Sequence, residues 1–186
     1  MHPASSRGKR FHHGFTMVEL VIVIILIGIL GTVAASRFFE RTSFDTVAWT
    51  EQVKATLRYA QKVAIAQNQS VFVHMTQDRV SVCLADDAAC PAPDARVRAP
   101  GGANSASSAT RAACNADEWM CEGRPAGVTM GRPGNATQAA GGVAFDGLGR
   151  ARMLNGFGGR LEIKGKGEDK GLVTTIAIEA ETGYVD

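Results

Sequence analysis

The pattern of apolar and polar positions divides the chain into three parts. From Leu20 to Ala35 sixteen residues carry no charge, and Phe15–Ser36 forms a stretch of twenty-two interrupted only by Glu19. At about 1.5 Å per residue a helix of that length spans roughly 30 Å, the thickness of a bilayer core. From Arg37 the pattern predicts that the helix continues to Gln67, with a stripe at Val53, Leu57, Ala60 and Ala64. That 4-3-4 spacing gives one narrow apolar face. Beyond it, Ser70–Met75 and Arg79–Leu84 alternate apolar and polar residues and predict a β-hairpin. The stretch 85–141, rich in Ala, Gly, Ser, Pro and Asp, reads as a long loop. Strand patterns resume at Gly142–Phe145, Ala151–Leu154, Leu161–Lys164 and Leu172–Ile178, with a short one at Gly183–Val185. Turn signals such as Asp146-Gly147 and Asn155-Gly156 separate them.

Charge then fixes an orientation. Arg7, Lys9 and Arg10 precede the apolar run with no acid among them, which sets the N-terminus in the cytoplasm and the remainder outside. A secretory signal, with Val33-Ala34-Ala35 as its cleavage site, and a plain signal anchor both fit this outline. Neither explains Glu19. An ionised carboxylate inside an inserting helix costs about 2.5–3.5 kcal/mol, and such residues generally have a partner and a function.

The heptapeptide Gly14-Phe15-Thr16-Met17-Val18-Glu19-Leu20 resembles the processing motif of type IV prepilins and type II secretion pseudopilins. The resemblance implies cleavage by prepilin peptidase between Gly14 and Phe15, followed by N-methylation of Phe15. Glu19 would pair with the new α-amino group of a neighbouring subunit in a filament core. Many pilins carry a proline near the end of the apolar run, whereas Ala35-Ser36-Arg37 stands here.

The resemblance implies a type IV pilin fold of the α+β class, a long N-terminal helix packed on an antiparallel sheet. The expected divisions are a leader at 1–14, a transmembrane or filament-core helix at 15–36, and its amphipathic continuation at 37–69. A periplasmic β-rich domain at 70–186 completes the chain and contains the loop 85–141. Three further stretches resemble the GspH/FimT branch and, within it, the minor pilin of the mannose-sensitive haemagglutinin (MSHA) pilus. They are Arg37-Phe38-Phe39, Leu57–Ala64 and Phe145–Arg150. The resemblance implies a structural subunit of a pilus, with a minor pseudopilin of the type II secretion system as the alternative. Its partners would be prepilin peptidase, major and other minor pilins, and the inner membrane before assembly.

Composition limits the other readings. Removing the three cations of the leader takes the formal charge from +2 to −1, so overall charge is no argument for nucleic acid. Three of the four histidines lie in that leader, leaving His74, read as a solvent-facing strand residue. Neither a histidine metal site nor a His-based triad is supported, and no enzyme, cofactor or metal is expected. Cys83, Cys90, Cys114 and Cys121 lie beyond the span, on the oxidising side, where disulfides persist. Four cysteines allow three connectivities, and the sequence-local pairs Cys83–Cys90 and Cys114–Cys121 are favoured. Six intervening residues in each pair argue against zinc, whose ligand pairs are usually separated by two to four. Finally, Arg150, Arg152, Arg160 and Lys164, continued by Lys166 and Lys170, form a basic C-terminal strip. It would suit DNA phosphates in a DNA-uptake role, as some relatives in this branch imply, but a solvated hairpin surface with lysines guarding strand edges is the favoured reading.

Overall fold

A computed structural model describes residues 16–135, 138–165 and 172–186, apart from the side chains of residues 32–42. Helix α1 runs Met17–Gln67. Its residues up to Phe39 belong to one compact unit, and Glu40–Asp186 form a second.

Within the second unit the strands are β1 (Val71–Met75), β2 (Arg79–Cys83), β3 (Cys121–Gly123), β4 (Val128–Gly131) and β5 (Gly141–Phe145). They are followed by β6 (Ala151–Leu154), β7 (Arg160–Gly165) and β8 (Val173–Ala177). Two antiparallel sheets result, one of five strands in the order β3-β2-β1-β5-β6 and one of three in the order β4-β7-β8. The fold is therefore α+β, an N-terminal helix on antiparallel sheet.

The stripe on α1 explains the packing. Val53, Leu57, Ala60 and Ala64 are fully buried and join one core with Val73 and Met75 of β1, Val80 and Val82 of β2, and Leu161 and Ile163 of β7. Two alanines in the stripe leave room for the sheet's branched side chains. Burying a residue such as Leu57 stabilises the fold by about 1.5–3 kcal/mol. The hairpin register sets Val73 opposite Val82 and Met75 opposite Val80, so one face of β1–β2 turns to the helix.

The other face carries Phe72, His74, Ser81 and Cys83, with Phe72 opposite Cys83 and His74 opposite Ser81. Here the structure corrects two expectations. His74 is buried at 2% exposure rather than solvent-facing. What covers that face is the stretch read as a featureless loop. Residues 85–141 contain 3-10 turns at Pro93–Ala95 and Pro100–Gly102, helix α2 (Ser108–Cys114), and strands β3 and β4. Their signals are weak because the elements are short and β3 is buried on both faces, which removes the polar–apolar alternation. Cys83, Cys90, Cys114, Cys121 and Trp119 form a separate small core there.

Candidate functional site

The N-terminal segment begins with a local device. Thr16 stands before the first turn of α1 and its Oγ1 accepts the Glu19 backbone N–H at 3.2 Å, while its carbonyl accepts the Leu20 N–H at 3.1 Å. Thr16-Met17-Val18-Glu19 is thus an N-cap followed three residues on by an acid, the spacing of a capping box. The hydroxyl residue of the heptapeptide has this structural task. A carboxylate in the first turn is also favoured by the helix dipole, by about 0.3–1 kcal/mol. Among the described residues the Glu19 side chain has no hydrogen-bond or ion-pair partner. Gly14 and Phe15 lie outside the described residues.

Around Glu19 the helix surface is apolar on every side. Twelve large apolar side chains between Met17 and Leu30 are exposed, from 40% at Val23 to 83% at Met17. Gly28 and Gly31 interrupt them, and a Cβ at either would meet nothing within 4 Å. Such a surface gains about 1.5–3 kcal/mol for each side chain buried, so it has a strong drive toward another apolar phase. Among the described residues no helix is long and apolar enough to cross a membrane. The expected span 15–36 extends past the described side chains at both ends.

The resembling stretches at 57–64 and 145–150 meet in space. Gln61 Nε2 donates to the carbonyls of Gly149 and Thr182, both at 2.9 Å, and so ties two turns to α1. Gly149 (φ +82°) and Gly183 (φ +64°) make this possible. A Cβ on Gly183 would lie 2.0 Å from the Gly149 oxygen and 2.5 Å from Gln61 Nε2. Arg58 Nη2 adds a bond to the Val185 carbonyl at 2.9 Å. In the 146–150 turn, Asp146 Oδ1 accepts the N–H groups of Leu148 and Arg150, each at 2.9 Å, and Oδ2 accepts Arg150 Nε at 2.9 Å. The Arg150 backbone N–H holds the Asp146 carboxyl below its ordinary range, with further help from the Arg150 guanidinium and the Leu148 N–H. These residues build the scaffold rather than a reactive centre.

The cysteines pair as Cys83–Cys90 and Cys114–Cys121, with Cα separations of 6.2 and 5.8 Å. Among the described residues no group of three or more His, Cys, Asp or Glu side chains comes together in a way that could hold a metal ion. The basic strip is divided. Arg150, already paired with Asp146, and Arg152 line one cleft beside the five-stranded sheet, whereas Arg160 and Lys164 lie on β7 in the three-stranded sheet. Lys166 and Lys170 lie outside the described residues. Sequence reading missed Trp119, which donates its indole N–H to the Val82 carbonyl at 2.9 Å and has the Arg79 and Arg96 guanidinium carbons 5.3 and 4.8 Å from its ring centroid. A lone tryptophan in a stretch without periodicity carries no signal of that role.

Comparison with known proteins agrees on the N-terminal segment. The model of the prokaryotic N-terminal methylation motif matches residues 9–35. A curated relative, the type IV narrow pilus major component PilA5 of Thermus thermophilus, is 38% identical over 58 residues. Those residues are 31% of this chain and 50% of that protein, so the chain spans about half the length of the relative it matches. The crystal structure of the type IV minor pilin FimU of Pseudomonas aeruginosa aligns with 83% of this chain and 90% of its own, at 16% identity and a TM-score of 0.39. The methylation motif thus stands ahead of an apolar helix that is followed by antiparallel sheet, and over its N-terminal third the chain is similar to type IV pilins.

Proposed function

We propose that the protein is a minor pilin of the GspH/FimT branch, a structural subunit that enters or initiates an MSHA-like type IV pilus. In this reading prepilin peptidase removes residues 1–14 by cutting between Gly14 and Phe15, and Phe15 is N-methylated. Residues 15–36 hold the precursor in the inner membrane, with the C-terminal domain in the periplasm. Assembly transfers the apolar helix from lipid into a bundle of other pilins. The observation that carries the reading is the dozen exposed apolar side chains of Met17–Leu30 with one carboxylate, Glu19, among them. Membrane and filament core both satisfy that surface, and an α-amino group at Phe15 of a neighbour satisfies Glu19. A contact of this kind repeats head to tail without closing, which gives a helical filament.

Mass spectrometry of the mature protein is the direct test. An N-terminal methyl-phenylalanine at Phe15 is expected, and an intact Met1 or an N-terminus at Ser36 excludes the reading. Glu19→Ala leaves cleavage in place and reduces incorporation into filaments; undiminished incorporation counts against the pairing with the α-amino group. Deletion of the protein abolishes surface piliation if it serves a pilus and exoprotein export if it serves a type II secretion system. A DNA-binding role is not favoured, because Arg150 is neutralised by Asp146, and Arg152 lies on one sheet while Arg160 and Lys164 lie on the other.

A further inference from the structure

Of the described charged side chains only Glu122 is buried, at 5% exposure. It stands opposite Val80 on the edge strand β3, so it shares the sheet face that turns to α1. Its carboxylate accepts from neutral donors alone: the Ser105 N–H and the Thr110 hydroxyl, each at 2.9 Å, and the Ser105 hydroxyl. Among the described residues no cation lies within ion-pair distance of it, and Lys54, Arg98 and Arg150 pair elsewhere, with Glu51, Glu118 and Asp146. Buried charges are ordinarily paired, because neutral hydrogen bonds offset only part of the lost hydration. A carboxylate has about four acceptor positions, of which Oε2 uses two and Oε1 one. One position on Oε1 stays open.

Glu122 lines a cleft of about 310 Å³ between α1 and the disulfide-bonded lobe of residues 84–122. The helix supplies Gln52, Ala55 and Tyr59, and the lobe supplies Ala99, Pro100 and Ala103. Every other lining side chain is neutral, so the cleft carries one negative charge. That charge sits at the buried end, beside Met120 at 4% exposure, while Ala55, Ala103 and Ser105 are exposed at the rim. Tyr59 Oη donates to the Arg98 carbonyl at 2.9 Å, which ties helix to lobe and fixes the walls in advance. Charge and shape together specify a ligand. One carboxylate falls far short of the roughly six to eight oxygens that calcium takes, and among the described residues no group of three metal-binding side chains comes together. A guanidinium pairs best with both oxygens of a carboxylate at once, whereas only one acceptor position is open here. An ammonium is a point charge that donates through single N–H groups, and the Gln52 side-chain amide in the same lining can accept a second one. The small walls of Ala55, Ala99 and Ala103 suit a chain of methylenes. The volume is at the lower end of the range for small-molecule sites, roughly 300–1,000 Å³, and admits a narrow stem rather than a large ring system.

We propose that this cleft binds a primary alkylammonium group, as carried by a lysine side chain or a short aliphatic amine, with Glu122 as its counter-ion and the alanine walls around its stem. The test uses the full chain in non-ionic detergent, with carbon-13 in the methionine methyl groups. Met120 reports the cleft, and Met17, 83% exposed on the apolar helix, reports any uptake of amine by the micelle. Titration with Nα-acetyl-lysine amide or n-butylammonium moves the Met120 methyl resonance saturably, with a Kd on the order of 1 mM, and leaves Met17 in place. Nα-acetyl-norleucine amide, which lacks the charge, and Nα-acetyl-arginine amide, which carries a fork, bind about tenfold more weakly or worse. Glu122→Gln weakens the ammonium ligands by about tenfold or more. Because Glu122 also holds Ser105 and Thr110, Ala55→Leu provides a second reading: it fills the exposed mouth, leaves those bonds intact, keeps the thermal midpoint and weakens binding to a similar extent. Response to the lysine amide places lysine side chains of other polypeptides among the ligands, and response to n-butylammonium alone confines the cleft to small amines. Absence of a saturable Met120 shift, equal binding of the norleucine or arginine amide, or undiminished binding in either variant overturns the proposal. None of these outcomes depends on how the protein enters a filament.

Discussion

The two described parts of α1 meet opposite fates within one helix. Between Met17 and Leu30 the apolar residues occupy every side and all are exposed. Between Trp49 and Ala64 one stripe, Trp49, Val53, Leu57, Ala60 and Ala64, is buried at 4% exposure or less. Periodicity, rather than hydrophobicity, separates the two. A stripe can be satisfied by one sheet from the same chain, whereas a helix that is apolar all round requires apolar surroundings on all sides. The first part therefore looks outward for its environment, and the second is completed internally.

The most direct way to break this contrast is to truncate one side chain in each part. Leu57→Ala destabilises the globular domain by about 2–5 kcal/mol, the usual range for a large-to-small core change. Ile24→Ala, 61% exposed in the single chain, leaves the unfolding midpoint of the detergent-solubilised protein unchanged. Thermal unfolding followed by near-ultraviolet circular dichroism compares them, and a similar loss in both variants would erase the distinction.

The disulfides sharpen it from the side of the sheet that α1 does not cover. Replacing Cys114 and Cys121 together by serine costs about 2 kcal/mol, because the closed ring is short. The loss should be confined to the lobe 84–122. Hydrogen exchange rising in α2 and β3 but not along Val53–Ala64 is the expected pattern. Gln61→Ala acts on the buried part through polar contacts alone. It removes two hydrogen bonds and leaves the Gly149 and Thr182 carbonyls to water, costing about 1–2 kcal/mol. Denaturant titration reads it.

The smallest effect belongs to the turn that Gln61 holds. The Asp146 carboxyl is below its ordinary value in the folded state, so its contribution is present above the unfolded value near 3.8 and is lost as pH falls through the lower folded value. Asp146→Asn should therefore be slightly less stable than the wild type near neutrality, with the difference shrinking as pH falls through that window. A difference between the two curves that stays constant from neutrality down to the acid side of 3.8 would contradict the assignment.

Much of this contrast is written in residue spacing. Val53, Leu57, Ala60 and Ala64 declare the stripe, and the alternation at 71–75, 79–83 and 151–154 declares strands within a residue of their observed ends. The apolar run and Glu19 are equally plain. His74 was legible as a strand residue but not as a buried one, since alternation reports that a side chain turns from the helix and not what lies beyond it. The lobe was illegible for a related reason. Its short elements are held by cystines, by Trp119 and by carbonyl contacts from Arg79, all of which are tertiary and none periodic.

The contacts of Arg58 and Gln61 with Val185 and Thr182 join positions 127 and 121 residues apart. Contacts of such separation form late, because the intervening chain must be organised before they are rewarded. The helix is thus among the earliest segments to emerge during synthesis and among the last to be locked in place. During synthesis from the N-terminus, the stripe at Val53–Ala64 stays open until residues 182–185 arrive. The buried face of the helix is thus completed by residues more than a hundred positions further along the chain, and not by its own neighbours in sequence.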